Sequence, residues 1–89
     1  MPEKLRFEDG TEIAGRALKS DGRLFLYAYG IDTLRAWFGL VDDAEKTAQI
    51  TYVMLGGEEK TYAGFTRLIA VRDEGDGLLT AVLGRDEDV

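Results

Sequence analysis

The chain contains no cysteine and no histidine, and its single serine is Ser20. Those absences remove the usual ligands of zinc, iron–sulfur and haem centres. They exclude a Cys nucleophile and any Ser–His or Cys–His dyad, because each needs an imidazole base. No disulfide can staple the fold, so stability rests on packing and the redox compartment is left open. Unbroken apolar runs are only a few residues long, far short of the about 20 residues that a membrane span needs. No basic stretch followed by an apolar one opens the chain, so no signal peptide is read and cytoplasmic synthesis is expected. Any catalysis would have to rest on carboxylates, lysines, tyrosines or a hard cation. The expectation is therefore a non-enzyme with no cofactor.

Of the 89 residues, 45% are hydrophobic and 31% charged. That balance is globular rather than disordered, and the length suits one small domain spanning residues 1–89. Acids outnumber bases by 17 to 11, but unevenly. Residues 1–40 carry six of each, whereas residues 41–89 carry eleven acids and five bases. A phosphate backbone would be repelled by the second half, so no nucleic-acid partner is expected. Solvated loops and an acidic tail over residues 85–89 account for the excess, and the tail is expected to fray.

Period-two patterning dominates. Lys4 to Glu8 alternates polar and apolar, Asp9-Gly10 is a turn signal, and Thr11 to Leu18 reads as the return strand of a hairpin. Ile13 and Ala17 share a face there while Leu18 falls out of phase, and Gly15 reads as a bulge permitting the switch. Ser20-Asp21-Gly22 turns the chain into Arg23 to Tyr29, apolar on both faces and hence expected to be central and covered. After Gly30 the period changes: Leu34, Trp37, Phe38 and Val41 form a helical stripe, with Asp32 as N-cap and Gly39 weakening a short helix. Asp43 to Lys46 reads as one further turn. Gln49 to Leu55 is strand-like, and Gly56-Gly57 opens a turn. Lys60 to Arg72 reads as one long strand bent at Gly64, Arg72 to Gly77 as a loop, and Leu78 to Leu83 as the last strand.

The halves echo one another. Glu12-Ile13-Ala14-Gly15 returns as Thr61-Tyr62-Ala63-Gly64 after 49 residues, and Arg23 to Gly30 returns as Gly77 to Gly84 after 54. The resulting expectation is an α+β domain, mainly antiparallel sheet of about six short strands with one central amphipathic helix. The pseudo-repeat would run β-β-β-α-β-β-β.

Few residues invite a chemical role. Asp73, Glu74 and Asp76 crowd one loop and carboxylates suit calcium, but the spacing of an EF-hand is missing, so a solvated hairpin tip is expected. Asp42-Asp43 and Glu58-Glu59 are sequence neighbours in loop-like contexts, a poor arrangement for an acid–base pair. Gly56-Gly57 lacks the flanking pattern of a phosphate cradle. No catalytic, cofactor-binding or metal-binding residue is nominated. The aromatics Phe25, Tyr27, Tyr29, Trp37, Phe38, Tyr52, Tyr62 and Phe65 are expected mostly in the core. The alternative for them is a partner-binding surface on the second face of a sheet, with Trp37 the residue to watch.

The Phe7-x-Asp9-Gly10 hairpin, the Asp43-x-Glu45-Lys46-Thr47 stretch, Tyr62-x-Gly64-Phe65-Thr66-x-Leu68 and Leu79-Thr80-x-Val82-Leu83 resemble a particular group. These are small uncharacterised proteins encoded in prophages of Gram-positive bacteria, among virion structural genes. The resemblance implies a non-catalytic part of a tail or baseplate region, or an assembly accessory, and it transfers no site residues. A protein partner or self-association is then expected, with docking by strand addition or through an aromatic face, and no membrane partner. The competing expectation is a small-ligand-binding or regulatory domain with a pocket between helix and sheet.

Overall fold

The structure is a computed structural model and describes residues 3–42, 49–65 and 67–85. The turn expected over Asp43 to Lys46 and all but the first residue of the expected tail lie outside them. The elements run β1 (Lys4–Phe7), β2 (Glu12–Ser20), β3 (Arg23–Tyr29), α1 (Ile31–Asp42), β4 (Gln49–Val53), β5 (Glu59–Ala63), β6 (Arg67–Gly75) and β7 (Leu78–Gly84). This is an α+β fold with one helix. Its seven strands form a single antiparallel sheet in the order β5-β4-β1-β2-β3-β7-β6.

β2 is the strand on which that order turns. Its first residues, Glu12 to Ala14, pair with β1, and Gly15 to Ser20 pair with β3. Gly15 sits at the changeover, and its amide also donates to the Glu3 carbonyl at 3.2 Å. A Cβ on Gly15 would stand 2.3 Å from the Tyr27 carbonyl oxygen and 2.9 Å from the Ala28 Cβ. The close approach of β3 therefore requires a residue without a side chain. The expected bulge at Gly15 is replaced by an unbroken register. Leu18 never switches faces: it points away from the core throughout, beside Phe25.

Two kinds of turn recur. Phe7–Thr11 and Met54–Glu58 are closed by the same pair of backbone bonds, at 2.8 and 2.9 Å in one and 2.7 and 2.9 Å in the other. Gly10 and Gly57 hold the left-handed position, at φ 92° and 88°. Asp21-Gly22 and Asp76-Gly77 are both two-residue turns with positive φ at each residue, 53° and 75° in the first, 55° and 81° in the second. That is type I′ geometry, which matches the twist of the strands it joins. The second of these turns replaces the long loop expected over Arg72 to Gly77, and β6 runs on to Gly75.

The turns give the repeat its register. Asp21 aligns with Asp76 at a shift of 55, not 54. The extra residue matters, since a one-residue slip would exchange core and outer faces. At 55, Leu24, Leu26 and Ala28 match Leu79, Ala81 and Leu83, and all six are buried. The stretch from Gly10 to Asp21 is 11 residues and that from Gly57 to Asp76 is 19. Those eight extra residues fall where the first half has one continuous β2 and the second has β5 and β6. The long strand expected over Lys60 to Arg72 is thus two strands, parted after Ala63 by Gly64 at φ 85°. Equivalent strands pair with each other, β1 with β4 and β3 with β7.

The core lies on one face of the sheet. Leu5, Phe7, Leu24, Leu26, Ala28, Ile50, Leu79, Ala81 and Leu83 are buried there, with Trp37 from α1. Trp37 meets Phe7 edge-on with ring centroids 6.0 Å apart; this is the core role expected of it. Its Nε1 is buried without a hydrogen-bond partner among the described residues. Gly30, not Asp32, is the residue that precedes the first helical turn. The Thr33 amide donates to the Gly30 carbonyl at 3.2 Å, and its hydroxyl to the Tyr29 carbonyl at 2.9 Å. With its hydroxyl satisfied, Thr33 can be buried beside Trp37 one turn on. The buried stripe consequently runs Thr33–Trp37, and Phe38, expected in the core, is 60% exposed.

Two glycines should respond to alanine with opposite signs. Gly15→Ala forces a Cβ into backbone and should cost on the order of 1–3 kcal/mol. Gly39→Ala meets nothing within 4 Å and should stabilise by about 0.5–1 kcal/mol through helix propensity. Urea unfolding of the two variants beside the parent chain measures both; equal effects would contradict the pivot assigned to Gly15.

Candidate functional site

The face of the sheet opposite the helix differs between its two halves. Over β5, β4, β1 and the start of β2 it is dressed with charge and hydroxyls. Glu12 takes Lys4 at 3.0 Å and Arg6 at 3.1 Å, Arg6 reaches Glu59 at 3.5 Å, and Thr51 meets Thr61 at 3.0 Å. Each of these six side chains has a cross-strand partner, and Val53 lies buried among them between Lys4 and Glu59.

Over the end of β2, β3, β7 and β6 the same face is apolar and aromatic. Register places Leu18, Phe25, Val82 and Ala70 in one row across the four strands. Arg16, Tyr27, Thr80 and Arg72 form the next, and Tyr29 and Leu78 stand opposite each other in a third. Leu18 is 55% and Tyr29 63% exposed. The expectation that Arg23 to Tyr29 is a covered strand holds for its position and fails for its second face. β3 is central between β2 and β7, but no described element packs over Phe25, Tyr27 and Tyr29. The apolar character that suggested a covering layer instead marks an open surface.

Two depressions shape it. A cleft of about 830 Å³ lies where β2 passes from β1 to β3, walled by Arg16, Leu18, Tyr27, Tyr29, Tyr52 and Glu3 among others. A shallower groove of about 310 Å³ continues over β7 and β6 between Phe25, Tyr27, Leu78, Thr80, Val82 and Arg72. Tyr27 and Leu78 line both. No residue of α1 lines the cleft; Tyr52, which stands opposite Leu5, reaches it from the core side of β4.

At the corner of the cleft Glu3 is held from two sides. The Tyr52 hydroxyl donates to its Oε2, and Arg16 donates to Oε1 at 3.0 Å. The Tyr52 bond is the main reason the Glu3 carboxyl lies below the usual glutamate range, with Arg16 adding to it against some desolvation. Burial and the same carboxylate push the Tyr52 phenol above its ordinary value. Glu12 is lowered likewise, through hydrogen bonds from Lys4 and Arg6.

The other acidic candidates are dispersed or spoken for. Asp73 accepts from the Gly75 amide at 2.9 Å, Glu74 lies 3.6 Å from Arg72, and Asp76 sits in the type I′ turn. Glu59 pairs with Arg6, Glu58 is exposed, and the Asp42-Asp43 side chains fall outside the described residues. Among the described residues no three His, Cys, Asp or Glu side chains are grouped to hold a metal ion. No helix among them is long and apolar enough to cross a membrane. The chain matches no protein-family model, no curated protein and no solved structure.

Glu3 and Glu12 set an acid limit on stability. A carboxyl lowered by folding contributes fully above its unfolded value, about 4.3 for glutamate, and loses that contribution as pH falls through its folded value. Urea midpoints should therefore drop progressively below about pH 4.3. Glu3→Gln should lower the midpoint at neutral pH and flatten the acid decline. A variant whose profile runs parallel to that of the parent chain would remove Glu3 from the explanation.

Proposed function

We propose that this chain is a non-catalytic protein-interaction module that docks through the open aromatic face of β2, β3, β7 and β6. The observation that carries the proposal is the contrast between the halves of one sheet face. Where β1, β4 and β5 lie, ion pairs and hydroxyls finish the surface; where β3 and β7 lie, Leu18 and Tyr29 are exposed and Phe25, Tyr27 and Leu78 only half-buried. An apolar centre with a polar rim of Arg16, Glu3, Arg72 and Glu74 is the anatomy of a recognition surface.

The sheet edges support docking by this face over strand addition. β6 carries two register shifts, between Leu68 and Ala70 and between Asp73 and Gly75. β5 is short and bears the exposed Glu59 and Lys60. Bulges and edge charges both discourage a further strand. The proposal is non-catalytic because the half-buried Glu3–Tyr52 pair at the cleft corner is poised the wrong way. A general acid or base at neutral pH needs a raised carboxyl or a lowered phenol, whereas Glu3 is lowered and Tyr52 raised. A setting in a prophage tail or baseplate region belongs to the same proposal. It is supported by the turn and strand patterns around Asp9-Gly10, Tyr62 to Leu68 and Leu79 to Leu83.

Leu18→Asp and Tyr29→Asp should leave the fold intact, changing stability by no more than about 0.5 kcal/mol because both residues are exposed. They should nevertheless abolish complementation of a deletion in the native host. Glu58→Gln and Asp76→Asn should complement fully. Folded face variants that complement as well as the parent chain would overturn the proposal.

The corner cleft favours a second reading, a site for a small planar ligand. Its volume falls in the range of about 300–1,000 Å³ seen for ligand pockets, and three tyrosines line it with Arg16 and Glu3. A thermal-shift screen should then yield a compound that raises the melting temperature of the parent chain and not of Arg16→Ala.

A further inference from the structure

We infer that the corner cleft takes a free, uncharged planar heterocycle with an amino-lactam edge, the edge shared by guanine and the pterins. Such an edge sets a ring N–H and an adjacent amino group beside a carbonyl. The inference rests on the small-ligand reading of the cleft and names the ligand's chemistry.

Its first support is the hydrogen-bonding capacity that Glu3 and Arg16 keep in reserve. An ionised carboxylate only accepts, at about four positions, and a guanidinium only donates, through about five N–H groups. Among the described residues the Glu3 carboxylate accepts from the Tyr52 hydroxyl and from Arg16, and the Arg16 side chain donates to Glu3 alone. About two acceptor positions remain on the one side chain and about four donors on the other. The two groups touch at 3.0 Å and both line the cleft, so free acceptors and free donors stand side by side. A ligand that satisfies both must carry donors next to an acceptor. The ring N–H and amino group of an amino-lactam suit Glu3, and its carbonyl suits Arg16.

The second support is charge. Glu3 and Arg16 sum to zero. A ligand anion would meet the carboxylate and a ligand cation the guanidinium, so an uncharged ligand is the one that both accept. The bond from Tyr52, chiefly, holds the Glu3 carboxyl below the usual glutamate range, which keeps it an acceptor at neutral pH.

The third support is the state of the rings. Elsewhere the chain's own cations and rings meet its aromatics: Lys19 and Arg85 stand over Phe65, Lys60 stands over Tyr62, and Phe7 is edge-on to Trp37. Tyr27 and Tyr29 enter no such contact among the described residues, and both line the cleft. Ala14 and Gly15 line it too and are too small to fill it. Flat faces are thus open to a flat ring, and stacking on aromatics combined with hydrogen bonds at the polar edge is how proteins read bases. Stacking admits any planar ligand; the Glu3–Arg16 wall selects among them.

The test is a titration of the isotope-labelled chain followed by its amide resonances. The probes are guanosine, pterin, and guanosine methylated at the ring N–H, which keeps the ring and its neutrality but blocks the central donor. Guanosine and pterin should shift the amides of Gly15, Arg16 and Tyr29 saturably, and the tighter of the two names the source of the edge. The methylated probe should bind at least about fivefold more weakly than guanosine. Glu3→Gln should weaken guanosine to a similar degree, and Glu58→Gln, outside the cleft, should not. Circular dichroism establishes that each variant is folded, and the comparison of probes on the parent chain decides the matter should Glu3→Gln fail to fold. A short guanine-bearing single strand should bind no tighter than guanosine, because the net −6 of the chain repels its phosphates; tighter binding overturns the assignment to a free ligand. A methylated probe that binds as well as guanosine overturns the inference, as does a folded Glu3→Gln with parental affinity. So does the absence of any shift with guanosine and pterin. In each case a thermal-shift compound that moves the same amides leaves the planar-ligand reading standing, and a screen that yields none removes that reading as well.

Discussion

One strand pairs on both sides with different partners at different ends, and the fold depends on it. β2 gives its first residues to β1 and the rest to β3, and this needs a position where β3 comes closer than a side chain allows. Gly15 supplies it, with the Tyr27 carbonyl oxygen 2.3 Å from where a Cβ would stand. The changeover joins β1, β4 and β5 on one side to β3, β7 and β6 on the other. It also places Arg16 and Leu18 next to Glu3 and Tyr52, which creates the corner cleft. The second half solves the same problem by other means. Eight additional residues break the equivalent strand at Gly64, and Phe65, buried and edge-on to Tyr62, anchors the crossing.

Much of this was legible in the sequence, and the legible parts share a cause. Gly10, Asp21-Gly22, Gly57 and Asp76-Gly77 hold left-handed backbone, which only a few residue types accept readily, so turn chemistry shows in the letters. The alternation of Lys4 to Phe7 and the doubly apolar run Arg23 to Tyr29 marked strands for similar reasons. Outcomes settled by distant packing were not legible. Phe38 sits on the helical period of Trp37. Yet the burial of Thr33, made possible by one hydroxyl bond to Tyr29, rotates the buried stripe away from it. Leu18 looked out of phase because an apolar residue was presumed to face the core.

The candidate face was half legible. A run that is apolar on both sides has two physical explanations, a second covering layer or a surface awaiting one, and periodicity is the same in both. Among the described residues there is a single helix, and it packs on the core side. The second layer is absent among the described residues for want of an element to form it. The aromatic count therefore overstated the core: Phe25, Tyr27 and Tyr29 stand on the open face, and Phe38 on the exposed side of the helix.

The repeat sharpens that distinction. At the register set by the turns, core positions of the two halves match in kind: Leu24, Leu26 and Ala28 against Leu79, Ala81 and Leu83. Outer positions do not, since Phe25 and Tyr27 stand where the second half has Thr80 and Val82. A packed core constrains volume on both halves alike, because each faces the other across β3 and β7. The outer face is under no such internal constraint, and a surface that only met solvent would have no reason to hold bulky aromatics on one half. The two halves thus keep an apolar core face in common, though not the size of each residue, while the outer face is aromatic in the first half and not in the second.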